Sequence, residues 1–258
     1  MGGMWVFPGG TLCPADMSER SLALIPDAAR TGCHRLRDLD GNALPATTCL
    51  GLAIAAARET FEETGVLLAT TAEGQHCGSE RLAHLHDRQR AIVSQPELFA
   101  TSLQEECLQL DVRRLVYWSH WITPAAIPKR FDTRFFLASL PPNQSATVDS
   151  IEATEMRWMT PASLIAAAHD GTMTLSRPTL YNVMELDASV RQHMSLNAIL
   201  AAETQRDVVP VLPKIRKTDR MIIMPWDSEY HMIDSDGVSP NITYPQCLRS
   251  LPSRTSER

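Results

Sequence analysis

Three glutamates occur within about one helical turn, in the segment Arg58-Glu59-Thr60-Phe61-Glu62-Glu63-Thr64-Gly65-Val66. Residues three and four positions apart share a helix face, so Glu59, Glu62 and Glu63 are expected to converge. Three like charges this close repel one another unless a cation lies between them. Hard divalent cations such as Mg²⁺ bind carboxylate oxygens together with waters and substrate phosphates. The pattern therefore predicts a metal site that takes a phosphorylated ligand.

The helix that must carry these glutamates is predicted over residues 50–68, which are rich in alanine and contain no proline. Gly65 suits the left-handed position just past a helix. Acidic triples most often mark a solvated face. Here Leu52, Ile54 and their neighbouring alanines are too apolar for a surface helix, so we expect the carboxylates to project from a buried element into a cleft. Upstream, the turn Phe7-Pro8-Gly9-Gly10 allows the backbone to approach a ligand closely.

These residues resemble the box of the Nudix hydrolases, Gly-x5-Glu-x7-Arg-Glu-U-x-Glu-Glu-x-Gly-U, where U is aliphatic. The segment from Arg58 to Val66 matches the second half of that box in register. The first half departs from it, because Arg58 follows Gly10 by 48 positions, where the usual box has about 14, and Leu50 stands eight positions before Arg58 in place of a glutamate. The resemblance implies an insertion of roughly 34 residues.

A long insertion inside the box resembles the coenzyme A diphosphatase branch of this family. Downstream segments agree with that resemblance: residues 118–124, residues 130–137, the spacing of Glu152 from Trp158, and Pro225-x-Asp227-x-x-Tyr230. The resemblance implies a mixed α/β fold, the Nudix α/β/α sandwich. It also implies metal-dependent hydrolysis of a diphosphate linkage in coenzyme A, an acyl-coenzyme A or a related nucleoside diphosphate derivative. With coenzyme A the expected products are 3′,5′-ADP and a phosphopantetheine moiety.

Residue roles follow from the same resemblance. Glu59, Glu62, Glu63 and the carbonyl of Gly9 are expected to hold Mg²⁺ or Mn²⁺, which activates a water for in-line attack on phosphorus. Glu62 and Glu152 are the expected catalytic residues. Glu155 is the second candidate for the carboxylate outside the helix, and an exposed glutamate at a strand edge is the alternative for either residue.

The positions of proline and glycine, which interrupt helices and strands, divide the chain into three predicted parts. Residues 1–170 form the Nudix domain, with an insertion at about 11–48, and residues 171–235 form a helical and short-strand extension packed on it. The Ser- and Pro-rich residues 236–258 are predicted to be a disordered tail. The element predictions are helices within 78–110, after Thr160-Pro161 and within 177–206, and strands at 115–122, 130–140, 152–159, 208–212 and 221–224.

Composition narrows the classes of partner. The 258 residues include 24 Lys and Arg against 30 Asp and Glu, so the net charge of −6 gives no basis for non-specific binding to nucleic acid or to an anionic membrane. No apolar run approaches the length of a membrane span. Six cysteines without paired spacing predict reduced thiols in a cytoplasmic protein. The sequence leaves the oligomeric state open.

Two observations keep a second class of function open. Only six residues precede Phe7, so we expect a domain without its first strand, a fragment or a misassigned start codon, and Leu50 replaces the box glutamate. Both favour a non-catalytic Nudix-fold binding module or an inactive truncated paralogue. Among the other polar residues, Lys129 and Arg130 are minor candidates for contacting a substrate phosphate. His84 and His86 are expected to be solvated helix residues, and His120 a packed core histidine.

Overall fold

The protein is described by a computed structural model that covers residues 3–30, 36–148, 155–193, 195–204, 206–235, 237–238, 243–244 and 246–249. Helices and short strands alternate through these ranges. The helices are α1 Glu19–Leu22, α2 Ala46–Thr64, α3 Ser79–Ser94, α4 Glu97–Glu105, α5 Pro161–His169, α6 Arg177–Gln192, α7 Leu196–Glu203 and α8 Gln246–Arg249. The strands are β1 Ala69–Thr70, β2 Gln109–Leu110, β3 Val116–Ile122, β4 Asp132–Leu137, β5 Pro210–Val211, β6 Lys214–Ile215 and β7 Ile222–Ile223.

Helix α2 carries the acidic segment and is the longest helix described. It follows Pro45, which serves as its N-cap residue, and it ends as predicted at Gly65, whose φ of 69° and ψ of 1° are left-handed. It starts four residues earlier than the sequence predicted. The side chains of Ile54, Ala57 and Phe61 are buried in the core, so the helix is an internal element, as its composition indicates.

The strands that were predicted around residues 115–122 and 130–140 pair with each other. β3 and β4 are antiparallel, with an irregularity in register between Tyr117 and Ser119. β5 adds to the other edge of β3 in the parallel direction, so the strand order is β4-β3-β5. The remaining strands form two short antiparallel pairs, β1 with β2 and β6 with β7.

The described residues form two hydrophobic cores, and the three-stranded sheet contributes to both. The first core gathers α2, α3 and α4, and Tyr117 and Phe136 of the sheet pack against it. The second core contains Trp121 and Ile122 from β3 together with residues of α6 and of the chain after residue 208. The sheet therefore ties the helix that carries the glutamates to the C-terminal half of the chain.

One expectation for the C-terminal half is wrong: residues 155–159 form no strand, and the preceding part of that predicted strand lies outside the described residues. The chain after residue 236 was expected to be disordered, and the structure describes residues 237–238, 243–244 and 246–249 of it. Among these, Val238, Tyr244 and Leu248 are buried in the second core. The Tyr244 hydroxyl donates a hydrogen bond of 2.7 Å to the carbonyl of Pro210. Spaced apolar side chains thus anchor this part of the tail despite its polar composition.

No helix in the described ranges is long and apolar enough to cross a membrane. The thiols of Cys13, Cys49, Cys77 and Cys107 are free.

Candidate active site

A buried guanidinium organises the acidic face of α2. The side chain of Arg58 is 3% exposed, and its Nη1 lies 2.8 Å from Oε1 of Glu59 and 3.1 Å from Oε2 of Glu62. The same guanidinium donates through Nη2 to the carbonyl of Thr11 at 3.1 Å. The i,i+4 spacing of Arg58 and Glu62 places both on one helix face, as the sequence predicted. Arg58 therefore fixes the rotamers of two of the three glutamates.

Asp16 completes this network, and the sequence analysis missed it. Its carboxylate accepts from Nε of Arg58 at 2.8 Å and from Nη2 at 3.0 Å, a bidentate pair in which both partners are buried. A sequence signal was present, because Asp16 follows Gly10 by six positions, the spacing of the glutamate in the first half of the Nudix box. Asp16, and not Leu50, thus holds the arginine, and this pairing favours an insertion that begins after Asp16.

The glycine turn lies directly against the glutamates of α2. The amide of Gly9 donates to Oε2 of Glu63 at 3.3 Å. A Cβ atom at Gly10 would overlap the carboxylate of Glu59, so a larger residue here would displace that side chain from its present position. The backbone of this turn therefore lies against the acidic face, and its approach to a ligand stays a prediction. The structure shows the amide of Gly9, rather than the carbonyl that was expected to bind metal, in contact with a glutamate.

Burial changes the acidity of Glu62. Loss of water around this carboxyl group raises its pKa from the usual 4.5 to about 7, and the charges of Glu59 and Asp16 act in the same direction. The guanidinium of Arg58 opposes the rise without cancelling it. An acid with a pKa near 7 exchanges protons readily at neutral pH, which is the property that a general base needs.

The fit of this site to a divalent cation is supported by charge and by ligand type. Asp16, Glu59 and Glu62 all contact one guanidinium, so this group of four side chains carries more negative than positive charge when the three acids are ionised. Carboxylate oxygens are the ligands that Mg²⁺ and Mn²⁺ prefer. However, no group of three ligating side chains converges on one point in the described ranges. Nη1 of Arg58 contacts both Glu59 and Glu62, and metal binding by these residues stays a prediction.

The carboxylate expected from outside α2 is not located. Glu152 lies outside the described residues. Glu155 is about half-exposed and pairs with Arg157 at 2.6 Å. Its role stays a prediction as well.

The other polar candidates have structural partners. His120 is 1% exposed, and its Nε2 lies 2.5 Å from Oδ1 of Asp132, so the prediction of a core histidine is confirmed. His86 is exposed, as expected, and its Nε2 also lies 2.8 Å from the carbonyl oxygen of Gly65 at the end of α2. Arg130 donates to the carbonyl of Thr123 at 3.1 Å, and Lys129 lies over the ring of Phe131.

Comparison with known proteins agrees with the resemblance to the Nudix hydrolases. A family model described as the NUDT19 Nudix domain matches residues 1–186. Acyl-coenzyme A diphosphatase NUDT19 of Gallus gallus is 30% identical over 215 residues, which cover 70% of this chain and 56% of that protein. The protein of the same name from Homo sapiens is 29% identical over 267 residues, 92% of this chain and 70% of that protein. The chain thus spans little more than half the length of the chicken relative.

The crystal structure of a Nudix hydrolase from Alicyclobacillus acidocaldarius superposes with a TM-score of 0.52 at 23% identity, over 72% of this chain and 77% of that one. This likeness confirms the predicted mixed α/β fold class, that of the Nudix hydrolases. The chain belongs to the family of NUDT19 Nudix domains, because that model covers most of its length.

Proposed function

We propose that this protein hydrolyses the diphosphate linkage of coenzyme A or an acyl-coenzyme A with the help of Mg²⁺ or Mn²⁺. The observation that carries the proposal is the contact between the Gly9-Gly10 turn and the acidic face of α2. It brings the two halves of the Nudix box together across a long insertion. The substrate class is supported by the relatives named acyl-coenzyme A diphosphatase.

Glu59 and Glu63 would hold the metal, and a bound divalent ion would supply charge neutralisation of the diphosphate and a lowered pKa of water. Glu62 accepts the proton of the attacking water, for which a pKa of about 7 is suitable. Arg58 and Asp16 hold the glutamates in place, and the glycine turn leaves room for the phosphates beside them.

The test is a turnover assay of the full chain with coenzyme A, an acyl-coenzyme A, ADP-ribose and NADH, each with Mg²⁺, with Mn²⁺ and with EDTA. We expect 3′,5′-ADP and a phosphopantetheine product only when metal is present. Replacing the proton acceptor in Glu62→Gln should lower kcat by roughly 100-fold or more. Glu105→Gln, which changes an exposed glutamate of α4, is the matched control and should keep full activity.

A non-catalytic Nudix binding module is the second candidate. The pairing of Arg58 with both Glu59 and Glu62 favours it, because this pairing occupies oxygens that a metal would need. Binding of coenzyme A without turnover at any metal concentration would support this candidate against hydrolysis. Turnover that persists in EDTA or in Glu62→Gln would contradict the proposed site.

A further inference from the structure

We propose that Gln89 and His86 of α3 are positioning residues for the catalytic glutamates, acting through the backbone at the end of α2. This inference rests on the proposed function. Neither residue belongs to the box motif, and α3 lies after it in the chain.

Gln89 stands where packing alone favours an apolar side chain. Leu82, Leu85 and Ile92 of α3 pack on the first core, and Gln89 lies on the same helix face by its spacing of three to seven residues from them. A glutamine on such a face needs partners for its amide, since burying an unpaired polar group is unfavourable. Its partners are main-chain atoms of α2.

The amide of Gln89 donates to two carbonyls in the last turn of α2. Its Nε2 lies 2.9 Å from the carbonyl oxygen of Phe61 and 2.9 Å from that of Glu62. The carbonyl of Phe61 already accepts from the amide of Gly65 at 2.8 Å, so Gln89 is a second donor to it. Its donation to two successive carbonyls fixes the position of that turn against α3. Here the fixed turn is the one that carries Glu62 and Glu63.

His86 holds the residue that follows. Its Nε2 lies 2.8 Å from the carbonyl oxygen of Gly65, and a carbonyl only accepts, so this nitrogen carries the hydrogen. Its ring also stacks on Phe61 with centroids 5.8 Å apart and an interplanar angle of 13°. Residues of α3 therefore contact the backbone on both sides of Glu62 and Glu63, although α3 itself supplies no proposed metal ligand.

The test uses Gln89→Leu, which keeps a side chain of similar size on the core face and removes both hydrogen bonds. Arg88→Leu is the matched control, because Arg88 is the neighbouring residue and contacts Glu105 and Ser102 of α4. The readouts are amide hydrogen exchange at residues 65–66, Mn²⁺ affinity by calorimetry, and kcat and KM for coenzyme A. His86→Leu provides the same readouts for the second contact.

For Gln89→Leu we expect faster exchange at residues 65–66, about tenfold weaker Mn²⁺ binding and a kcat lowered roughly 10- to 100-fold with KM unchanged. Arg88→Leu should match the wild type in all of these. Unchanged Mn²⁺ affinity and kcat in both α3 variants would overturn the proposal. If the proposed function itself were wrong, the wild type would show no turnover of coenzyme A. The Mn²⁺ affinities of wild type and variants would still show whether α3 positions the glutamates.

Discussion

Arg58 and Asp16 show how one buried ion pair can organise an acidic site. The two side chains are 3% and 2% exposed, and each carboxylate oxygen of Asp16 accepts a hydrogen bond from the guanidinium. A buried pair is weak evidence for stability in itself, but removing one partner leaves an uncompensated charge in the interior. Its main consequence here is the fixed geometry of Glu59 and Glu62.

Asp16→Ala should lower the free energy of unfolding by about 1–3 kcal/mol, because the buried Arg58 loses its bidentate partner while Glu59 and Glu62 stay beside it. The measurement is urea unfolding followed by circular dichroism. Asp27→Ala is the control, since the Asp27 pair with Arg30 is largely exposed and should contribute less than about 1 kcal/mol. Equal losses in the two variants would show that Asp16 does not hold Arg58.

The raised pKa of Glu62 predicts a pH dependence of stability in the absence of metal. Between its usual value of 4.5 and about 7, the folded chain binds the Glu62 proton more tightly than the unfolded chain does. The stabilising contribution of this group is therefore complete below pH 4.5 and is lost as the pH rises through about 7. Unfolding of wild type and Glu62→Gln in EDTA should show the wild type losing stability relative to the variant over that interval. A constant difference between the two would contradict the assignment.

The residues of the continuous box could be found from the sequence, because helical spacing fixes which side chains share a face. Asp16 could have been found from its distance to Gly10. The sequence gives no comparable indication for Gln89. Its partners are backbone carbonyls of another helix, and every residue has such a carbonyl whatever its side chain.

At the scale of elements, the turn that precedes the insertion matters as much as α2. Its amide at Gly9 contacts Glu63, and its Gly10 lies against Glu59. The insertion between Asp16 and α2 thus leaves the two parts of the site in contact.

Gly10→Ala should reduce turnover of coenzyme A at least tenfold, because a methyl group at this position would displace the carboxylate of Glu59. The free energy of unfolding should change little, since the Glu59 side chain can turn away. Gly78→Ala is the matched control: its added Cβ meets no atom within 4 Å, and activity should be retained. Full activity in Gly10→Ala would indicate that Glu59 lies outside the working site.

Local patterns predicted most of these elements. The apolar run before Gly65 predicted α2, and the aromatic and β-branched segments predicted β3 and β4. The strand expected at 152–159 is absent from residues 155–159, which pair with no other strand in the described part of the chain. The parallel addition of β5 to β3 joins Trp121 to Val211, and no local pattern specifies a pairing over such a distance along the chain.

Across the whole molecule, the described residues of the C-terminal segment include some that pack in the second core. The ring of Tyr244 packs on Trp226 at a centroid distance of 5.6 Å, and its hydroxyl donates to the carbonyl of Pro210 next to β3. Disorder was predicted because this segment is rich in serine and proline. A few well-spaced apolar side chains outweigh that composition when a core is available to receive them.

Tyr244→Ala should therefore lower the free energy of unfolding by about 3 kcal/mol or more, through lost packing and a lost hydrogen bond. Met232→Ala is a suitable control, because Met232 is 83% exposed and its loss should change stability by less than about 0.5 kcal/mol. Both can be measured by thermal and urea unfolding. If Tyr244→Ala were as stable as the wild type, Tyr244 would not contribute to the core, and the prediction of a disordered tail would stand.

The proposed function requires that the acidic face of α2 hold a divalent cation. This can be measured by titrating Mn²⁺ into the full chain, with free Mn²⁺ followed by electron paramagnetic resonance, for wild type, Glu59→Gln and Glu63→Gln. We expect saturable binding by the wild type and at least tenfold weaker binding by each variant. Equal Mn²⁺ binding by all three proteins, or none by the wild type in the presence of coenzyme A, would contradict the proposal.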